Sequence, residues 1–198
     1  ERAFSVMIAG WTRRYCAIQL ILATKRVLLH AMNTDFPIHS SRIAALNEAP
    51  IREGRYALYW MQASQRAEDN PALDYAVLEA DRLDLPLVVL FGLTEDYPEA
   101  VLRHYRFMLE GIEDVRETLA DMGIRLMVRI GNPVASVLEA ARNAAVVVCD
   151  RGYLRHQKTW RSELARAAEC RVMQVEGDVV VPVETASEKE EYSAATLR

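Results

Sequence analysis

The chain has 198 residues, of which 51% are hydrophobic and 26% charged, with a formal net charge of −4. This size and composition fit one globular α/β domain with its own core. The acidic balance argues against this chain holding nucleic acid by itself, because duplex binding needs a basic face. The three cysteines and four histidines show no metal-ligand spacing. We therefore predict no metal site and a reducing, cytoplasmic compartment.

The first 31 residues differ in composition from the rest of the chain. They carry five basic residues and one acidic residue, and the chain begins with Glu1 rather than methionine. A basic pair followed by apolar residues 15–23 resembles part of a signal peptide, but it lacks a convincing cleavage site and is too short for a membrane span. We predict that residues 1–31 are a non-native or poorly ordered extension, with Met32 as a natural start.

Strand and helix patterns begin to alternate at residue 56. Tyr56–Trp60 reads as a short, aromatic-rich strand. The next two signals, Asn70 and Pro71, predict a helix start with a side-chain cap and a proline in the first turn. Apolar residues at helical spacing across 73–83 give that helix one buried face. Pro86–Phe91 is an unbroken apolar run, which is typical of a strand covered on both faces.

The second half of the chain continues the alternation. An amphipathic helix is predicted from about Glu99 to Met122, ending at Gly123. The elements predicted after it are a strand at 125–130, a helix from Pro133, a strand at 145–149, a helix at 157–168, a strand at 172–175 and a short sixth strand piece at 179–181. This order predicts an α/β fold, a doubly wound and mostly parallel five-stranded sheet with helices on both faces.

Polar loops follow the predicted strands, and ligands of open α/β sheets bind outside the carboxyl ends of the strands. No loop carries a glycine-rich phosphate fingerprint. Each candidate residue also has a structural interpretation, such as a local pair between Arg66 and Asp69, or a tight turn in which Asp150 pairs with an arginine. The candidate ligand contacts, chosen by strand-end topology, are Arg66, Asp69, Asn70, Glu95, Asp150 and Arg151.

No catalytic arrangement is visible in the sequence. The chain shows no triad, no paired acids and no activated cysteine. We interpret His104 as a helix-surface residue, and Trp60 and Trp160 as core residues rather than an electron relay. The residues alone indicate an α/β domain suited to one small planar or anionic ligand.

Several separated segments resemble class II DNA photolyases, and they occur in the order found in that family. Tyr59–Leu73 resembles the opening strand and helix of the family, and Val179–Ser193 resembles the stretch that leads out of its antenna domain. Phe91–Asp96 and Arg103–Gly111 resemble segments between them. The resemblance extends over about residues 42–198.

This resemblance implies a division into domains and a function. Residues 32–183 would form the Rossmann-like N-terminal domain of a photolyase, and residues 184–198 would begin a linker to a FAD-binding helical domain that is missing here. The complete protein would be a lyase that splits cyclobutane pyrimidine dimers in UV-damaged DNA with light. FAD would be bound outside this fragment, and members with an antenna carry a deazaflavin or a folate in this domain. The fragment alone is predicted to bind no FAD and to repair no DNA.

Three other interpretations stay open at this point. One is a cryptochrome-like photosensor, against which the class II segments argue. Another is a stand-alone nucleotide-binding α/β module of the universal-stress type, against which the missing glycine-rich phosphate loop argues. The third is a domain that only braces the flavin domain and binds no chromophore.

Overall fold

A computed structural model describes residues 38–187, together with Lys189 and Ala195. The extension predicted at residues 1–31 lies outside the described residues and stays a prediction. The strands are β1 (Ile43–Ala45), β2 (Tyr56–Met61), β3 (Leu87–Leu93), β4 (Arg125–Ile130), β5 (Ala144–Asp150) and β6 (Arg171–Val175). The helices are α1 (Pro71–Arg82), α2 (Leu102–Asp121), α3 (Pro133–Ala141), α4 (Arg155–Ala167) and α5 (Val183–Ala186), and a 3₁₀ turn, Ser40–Arg42, precedes β1.

The strands form one sheet in the order β1-β6-β5-β2-β3-β4. All neighbouring strands are parallel except β1, which pairs antiparallel with β6 at one edge. The predicted doubly wound, mostly parallel sheet is therefore confirmed. The predicted strand number was wrong, because the described sheet has six strands.

The short strand piece predicted at residues 179–181 was also wrong. This apolar segment is a loop, and Val180 is 93% exposed. The outer edge of β6, the strand that precedes this segment, already pairs with β1, so residues 179–181 cannot pair with that edge. Instead, the guanidinium of Arg42 donates hydrogen bonds to the carbonyls of Glu176, Val179 and Val180, at 3.1, 2.9 and 2.7 Å.

Two hydrophobic cores lie on opposite faces of the sheet, and a smaller cluster packs α2 against β3. On one face, α1 and α2 bury the apolar side chains that the helical spacing predicted, including Leu73 and Leu119. On the other face, α3 and α4 cover the sheet with residues such as Val137 and Leu164. The central strand β5 is buried along its whole length, as its unbroken apolar sequence indicates.

The helix ends follow local sequence signals closely. The side chain of Asn70 caps α1, and Pro71 occupies its first position, as predicted. Helix α2 begins at Leu102, three residues later than predicted, and ends just before Gly123, whose φ of 78° suits the left-handed region that favours glycine. None of the helices that the structure describes has the length and apolar character of a membrane span.

Candidate functional site

The strand order reverses between β2 and β5. The chain winds from β2 through β3 to β4 in one direction, and from β5 to β6 in the other. At such a switch point the loops diverge and leave a crevice at the carboxyl ends of the strands. A cavity of about 550 Å³ lies at these strand ends, lined by the loops after β2, β3 and β5 together with α2 and α4. This volume falls within the ordinary range for small-molecule sites.

Aromatic and amide side chains line much of the cavity. Its aromatic lining consists of Phe91, Tyr97, Tyr105, Tyr153 and Trp160. Its amide lining consists of Gln62, Gln65 and Gln157. Such a surface can stack against a planar ring and hydrogen-bond to its edge.

The ring of His156 connects two of these aromatic residues. It makes edge contacts with Tyr97 and Trp160, with centroid separations of 4.8 and 4.9 Å. Tyr97 belongs to the loop after β3, whereas His156 and Trp160 belong to α4. This aromatic cluster therefore joins the two sides of the cavity.

A small recess of about 10 Å³ adjoins the cavity. The residues that line both spaces are Gln62, Ala63, Gly152, Gln157 and Trp160. The recess is further lined by Trp60, Cys149, Asp150 and Arg161. Burial raises the pKa of the Cys149 thiol to about 12, so this cysteine is a neutral thiol and not a nucleophile.

The backbone at Gly152 passes very close to α4. A Cβ added at this position would lie 2.3 Å from Oε1 of Gln157. Gln157 uses that oxygen to accept a hydrogen bond from the backbone N–H of Leu154, at the start of α4. Glycine is therefore needed to keep both the helix cap and the wall of the cavity in place.

Asp150 organises the loop after β2. Its Oδ2 accepts hydrogen bonds from the backbone N–H groups of Gln62, Ala63 and Ser64 at 2.8, 2.8 and 3.1 Å. Its Oδ1 accepts one from the hydroxyl of Tyr59 at 2.6 Å. Burial raises the pKa of Asp150, and these four hydrogen bonds oppose that rise. The predicted pairing of Asp150 with an arginine is replaced by this backbone cap.

Asn70 acts together with Asp150 around Tyr59. Its Oδ1 accepts from the backbone N–H groups of the first turn of α1, both at 3.1 Å. Its Nδ2 donates to the carbonyls of Ser64 and Arg66 and to the hydroxyl of Tyr59. The side chain is fully buried, so its position in the structure is that of an internal cap.

The charged candidates of the same loop lie nearer the surface. Nε of Arg66 donates to the backbone carbonyl of Asp69 at 3.0 Å, and its NH2 nitrogen lies 3.3 Å from the carboxylate of Asp178. The local pair predicted between Arg66 and Asp69 is thus a main-chain contact, and the carboxylate partner is Asp178. Asp178 also accepts a hydrogen bond from Ser64 and lines the cavity.

The remaining two candidates are Glu95 and Arg151. Glu95 is exposed in the loop after β3. Arg151 forms a two-point ion pair with Glu184 in α5, and its Nε lies 3.5 Å from the carboxylate of Glu176. Glu176 is 1% exposed and also accepts a hydrogen bond from the hydroxyl of Tyr153. These contacts fasten α5 to the loops after β5 and β6.

The structure therefore separates the six predicted residues from most of the cavity wall. Among them only Asp150 reaches a cavity, namely the recess. The loops after β2, β3 and β5, which the sequence singled out as candidate ligand contacts, line the cavity. Sequence reasoning selected their charged residues, whereas the lining residues are mostly aromatic or amide. The visible signal was the aromatic content of the same loops, with Tyr97 and Tyr153.

His104 is exposed on α2, as predicted, yet it also lines the cavity, and its Nδ1 accepts a hydrogen bond from the backbone of Val101. Within the described residues, no group of three or more histidine, cysteine, aspartate or glutamate side chains could hold a metal ion.

The fold and the site thus define the class of domain, a wound and mostly parallel α/β sheet with an aromatic-lined crevice at its switch point. The family model described as DNA photolyase matches residues 57–198. The chain belongs to the DNA photolyase family, as the sequence resemblance predicted.

Two relatives are named deoxyribodipyrimidine photo-lyase. The protein from Methanothermobacter thermautotrophicus is 52% identical over 162 residues, which are 81% of this chain and 36% of the relative. The protein from Potorous tridactylus is 35% identical over 145 residues, which are 71% of this chain and 27% of the relative. The chain thus spans about a third of the length of the curated relatives that it matches.

A solved archaeal photolyase from Sulfolobus tokodaii shares the fold. The TM-score is 0.61 at 16% identity, and the match covers 71% of this chain and 33% of the other. That structure is described as containing two FAD molecules, with the implication of a novel light-harvesting cofactor.

Proposed function

We propose that this chain is the light-harvesting antenna domain of a class II deoxyribodipyrimidine photolyase. Membership of the photolyase family and the match to about a third of each relative support this assignment. The observation that carries the antenna role is the aromatic-lined cavity of about 550 Å³ at the switch point of the sheet. Its volume and its ring-stacking surface suit one planar chromophore, a deazaflavin or a folate.

The cavity residues divide into two roles in this proposal. The aromatic side chains, among them Tyr97 and Trp160, contact the chromophore. Asp150 and Asn70 act indirectly, because they hold the loop after β2 against the rim of the cavity. Arg66, Asp69 and Arg151 order the loops that flank the site, and Glu95 lies exposed in the loop after β3. This assignment revises the roles given to the six residues by strand-end topology.

The complete protein is proposed to repair cyclobutane pyrimidine dimers in UV-damaged DNA with light. FAD would supply the electron that splits the dimer, and its binding is assigned to the part of the protein that follows the α/β domain. The acidic balance of this chain agrees with a DNA-binding surface located elsewhere. Residues 32–183 are proposed as the antenna domain and residues 184–198 as the beginning of the connection.

Chromophore titration tests the antenna role. The 198-residue chain is titrated with 8-hydroxy-5-deazariboflavin and with methenyltetrahydrofolate, and fluorescence reports binding. We expect one of them to bind, and the double variant Tyr97→Ala/Trp160→Ala to bind it at least about tenfold more weakly, since aromatic stacking is lost. The matched control is Phe107→Ala, which removes an 81% exposed aromatic residue of α2 outside the cavity lining.

Two results would contradict the antenna role. Equal binding to the wild type and to the double variant would place the chromophore elsewhere. Absence of binding by either chromophore would favour the bracing role. In the full-length protein, the chromophore-loaded form should repair dimers faster than the chromophore-free form at the absorption maximum of the chromophore. A full-length protein that responds to light without repairing dimers would favour the photosensor.

A further inference from the structure

Trp60 is 1% exposed and lines the recess that adjoins the large cavity. Within the described part of the chain, its buried Nε1 has no hydrogen-bond partner. Buried polar groups are normally paired, and an indole N–H can only donate. The indole N–H therefore lacks the acceptor that a buried donor normally has.

The recess has the dimensions of a single acceptor. Its volume of about 10 Å³ corresponds to one oxygen-sized group. Gln62, Gly152 and Trp160 line both the recess and the large cavity, so the two spaces lie next to each other. A flat molecule in the cavity that carries a carbonyl on the edge facing the recess would fill both.

The charged groups around the recess are already engaged. Asp150 accepts four hydrogen bonds from the loop after β2 and from Tyr59. Arg161 donates to the backbone carbonyl of Gly152 at 2.6 Å. The carboxylate and the guanidinium both line the recess, so their opposite charges offset each other. A neutral acceptor fits this environment better than a full anion.

The large cavity offers little to a phosphate. Among the described residues that line it there is no lysine or arginine, while Asp178 adds an acidic group. A phosphate buried here would therefore lack a cationic side chain as partner, and burial of an unpaired charge is costly.

We propose that the recess is an acceptor subsite in which Nε1 of Trp60 binds one carbonyl oxygen of an uncharged, unphosphorylated heteroaromatic ligand. This inference rests on the proposed function, because it concerns the ligand of the same cavity. Trp60 is then a specificity-determining residue that separates carbonyl-bearing rings from other planar molecules. Because no lysine or arginine is among the described residues that line the cavity, the cavity favours binding of riboflavin-like ligands over their phosphorylated forms.

Three probes and one variant test the subsite. The wild-type chain and Trp60→Phe are titrated with riboflavin, with FMN, which differs from riboflavin by a phosphate, and with acridine, a tricycle without a carbonyl. We expect riboflavin to bind at least about tenfold more tightly than FMN. Trp60→Phe keeps an aromatic core residue and should weaken riboflavin about tenfold, through loss of one hydrogen bond, while acridine binding stays unchanged.

A measurement on the unmutated chain guards against a variant that folds poorly. The ¹⁵N-labelled indole resonance of Trp60, identified by its absence in Trp60→Phe or, if that variant does not fold, in Trp60→Tyr, should shift downfield with riboflavin and stay in place with acridine. Equal shifts for both probes, or equal riboflavin affinity of wild type and variant, would overturn the subsite. FMN binding as tight as riboflavin binding would overturn the charge selectivity. Failure of all three probes and of the deazaflavin and folate would instead remove the proposed function itself.

Discussion

Asp150 shows how a charged side chain in a strand-end loop can serve the loop rather than a ligand. The sequence places it directly after an apolar strand, which is the position of many ligand-binding residues. The structure adds three backbone N–H groups and one hydroxyl around the same carboxylate. These donors belong to a segment almost ninety residues away in sequence, so no local pattern could reveal them.

Replacing Asp150 with asparagine should destabilise the domain. The amide keeps the shape of the side chain, but only one of its two polar atoms is an acceptor, so it cannot accept hydrogen bonds from both the backbone N–H groups and the Tyr59 hydroxyl. We expect Asp150→Asn to lower the free energy of unfolding by about 2 to 3 kcal/mol. Chemical denaturation measures this, with the exposed Glu95→Gln as the control, expected within about 0.5 kcal/mol of the wild type. Equal stability of the two variants would show that the cap is unimportant.

Glu184 gives a prediction with a defined pH dependence. Hydrogen bonds from Arg151 lower the pKa of Glu184. A carboxyl group whose pKa is lowered by folding stabilises the protein above its unfolded-state pKa, and this contribution disappears as the pH falls through the folded-state pKa. Because Glu184 is exposed, Glu184→Gln should lower the free energy of unfolding by less than about 1 kcal/mol at pH 7.

Denaturation of the wild type and Glu184→Gln at several pH values tests that dependence. The difference between them should decrease as the pH falls below the ordinary pKa range of glutamate, and it should shrink in high salt at pH 7. Glu110→Gln is the control, because the Glu110 carboxylate lies 4.0 Å from Arg106 in a more exposed pair. A Glu184→Gln difference of constant size across the acidic range would show that the ion pair does not fasten α5.

At the scale of elements, two Asn-Pro caps start two helices in different surroundings. Asn70 and Asn132 each accept hydrogen bonds from two backbone N–H groups and precede a proline in the first turn. Asn70 is fully buried and makes three further hydrogen bonds, whereas Asn132 is exposed. The Asn-Pro dipeptide predicted both helix starts, but only the packing determines how much each cap contributes to the stability of the domain.

This difference is measurable with matched variants. Asn132→Ala should cost about 1 kcal/mol, the ordinary value of an N-cap. Asn70→Ala should cost about 2 to 4 kcal/mol, since it also leaves the carbonyls of Ser64 and Arg66 and the Tyr59 hydroxyl without a donor. Thermal or denaturant unfolding of the two variants gives the comparison. Equal losses would mean that the buried network adds nothing to the cap.

The two errors in the predicted elements have one cause. Strand β1 contains only three residues and is mostly exposed, so it carries no periodic signal. The apolar run at 179–181 carries a strand-like signal but has no partner strand. Pairing of β1 with the outer edge of β6 adds the strand that was missed and closes that edge of β6 to residues 179–181. The carbonyls of the rejected segment are bound by Arg42 instead.

At the scale of the whole molecule, the described residues form a single wound sheet with its own two cores and one ligand-sized crevice. The curated relatives that it matches are about three times as long as the matched region. We therefore predict that the 198-residue chain, supplied with FAD and light, splits no cyclobutane pyrimidine dimers. A repair assay on dimer-containing oligonucleotides checks this, with the full-length protein as the positive control. Turnover by the isolated chain would contradict it.

The sequence by itself determined the alternation of strands and helices, the parallel sheet, the helix caps and the photolyase family, because these depend on local spacing, on apolar runs and on separated segments in a fixed order. Only the tertiary structure decided which strand occupies each edge and which loop residues face the crevice. Those outcomes depend on partners brought together across the sheet, such as Asp150 with the loop after β2. The aromatic cavity wall and the burial of the Trp60 indole arise in the same way, since strands distant in sequence meet at one edge.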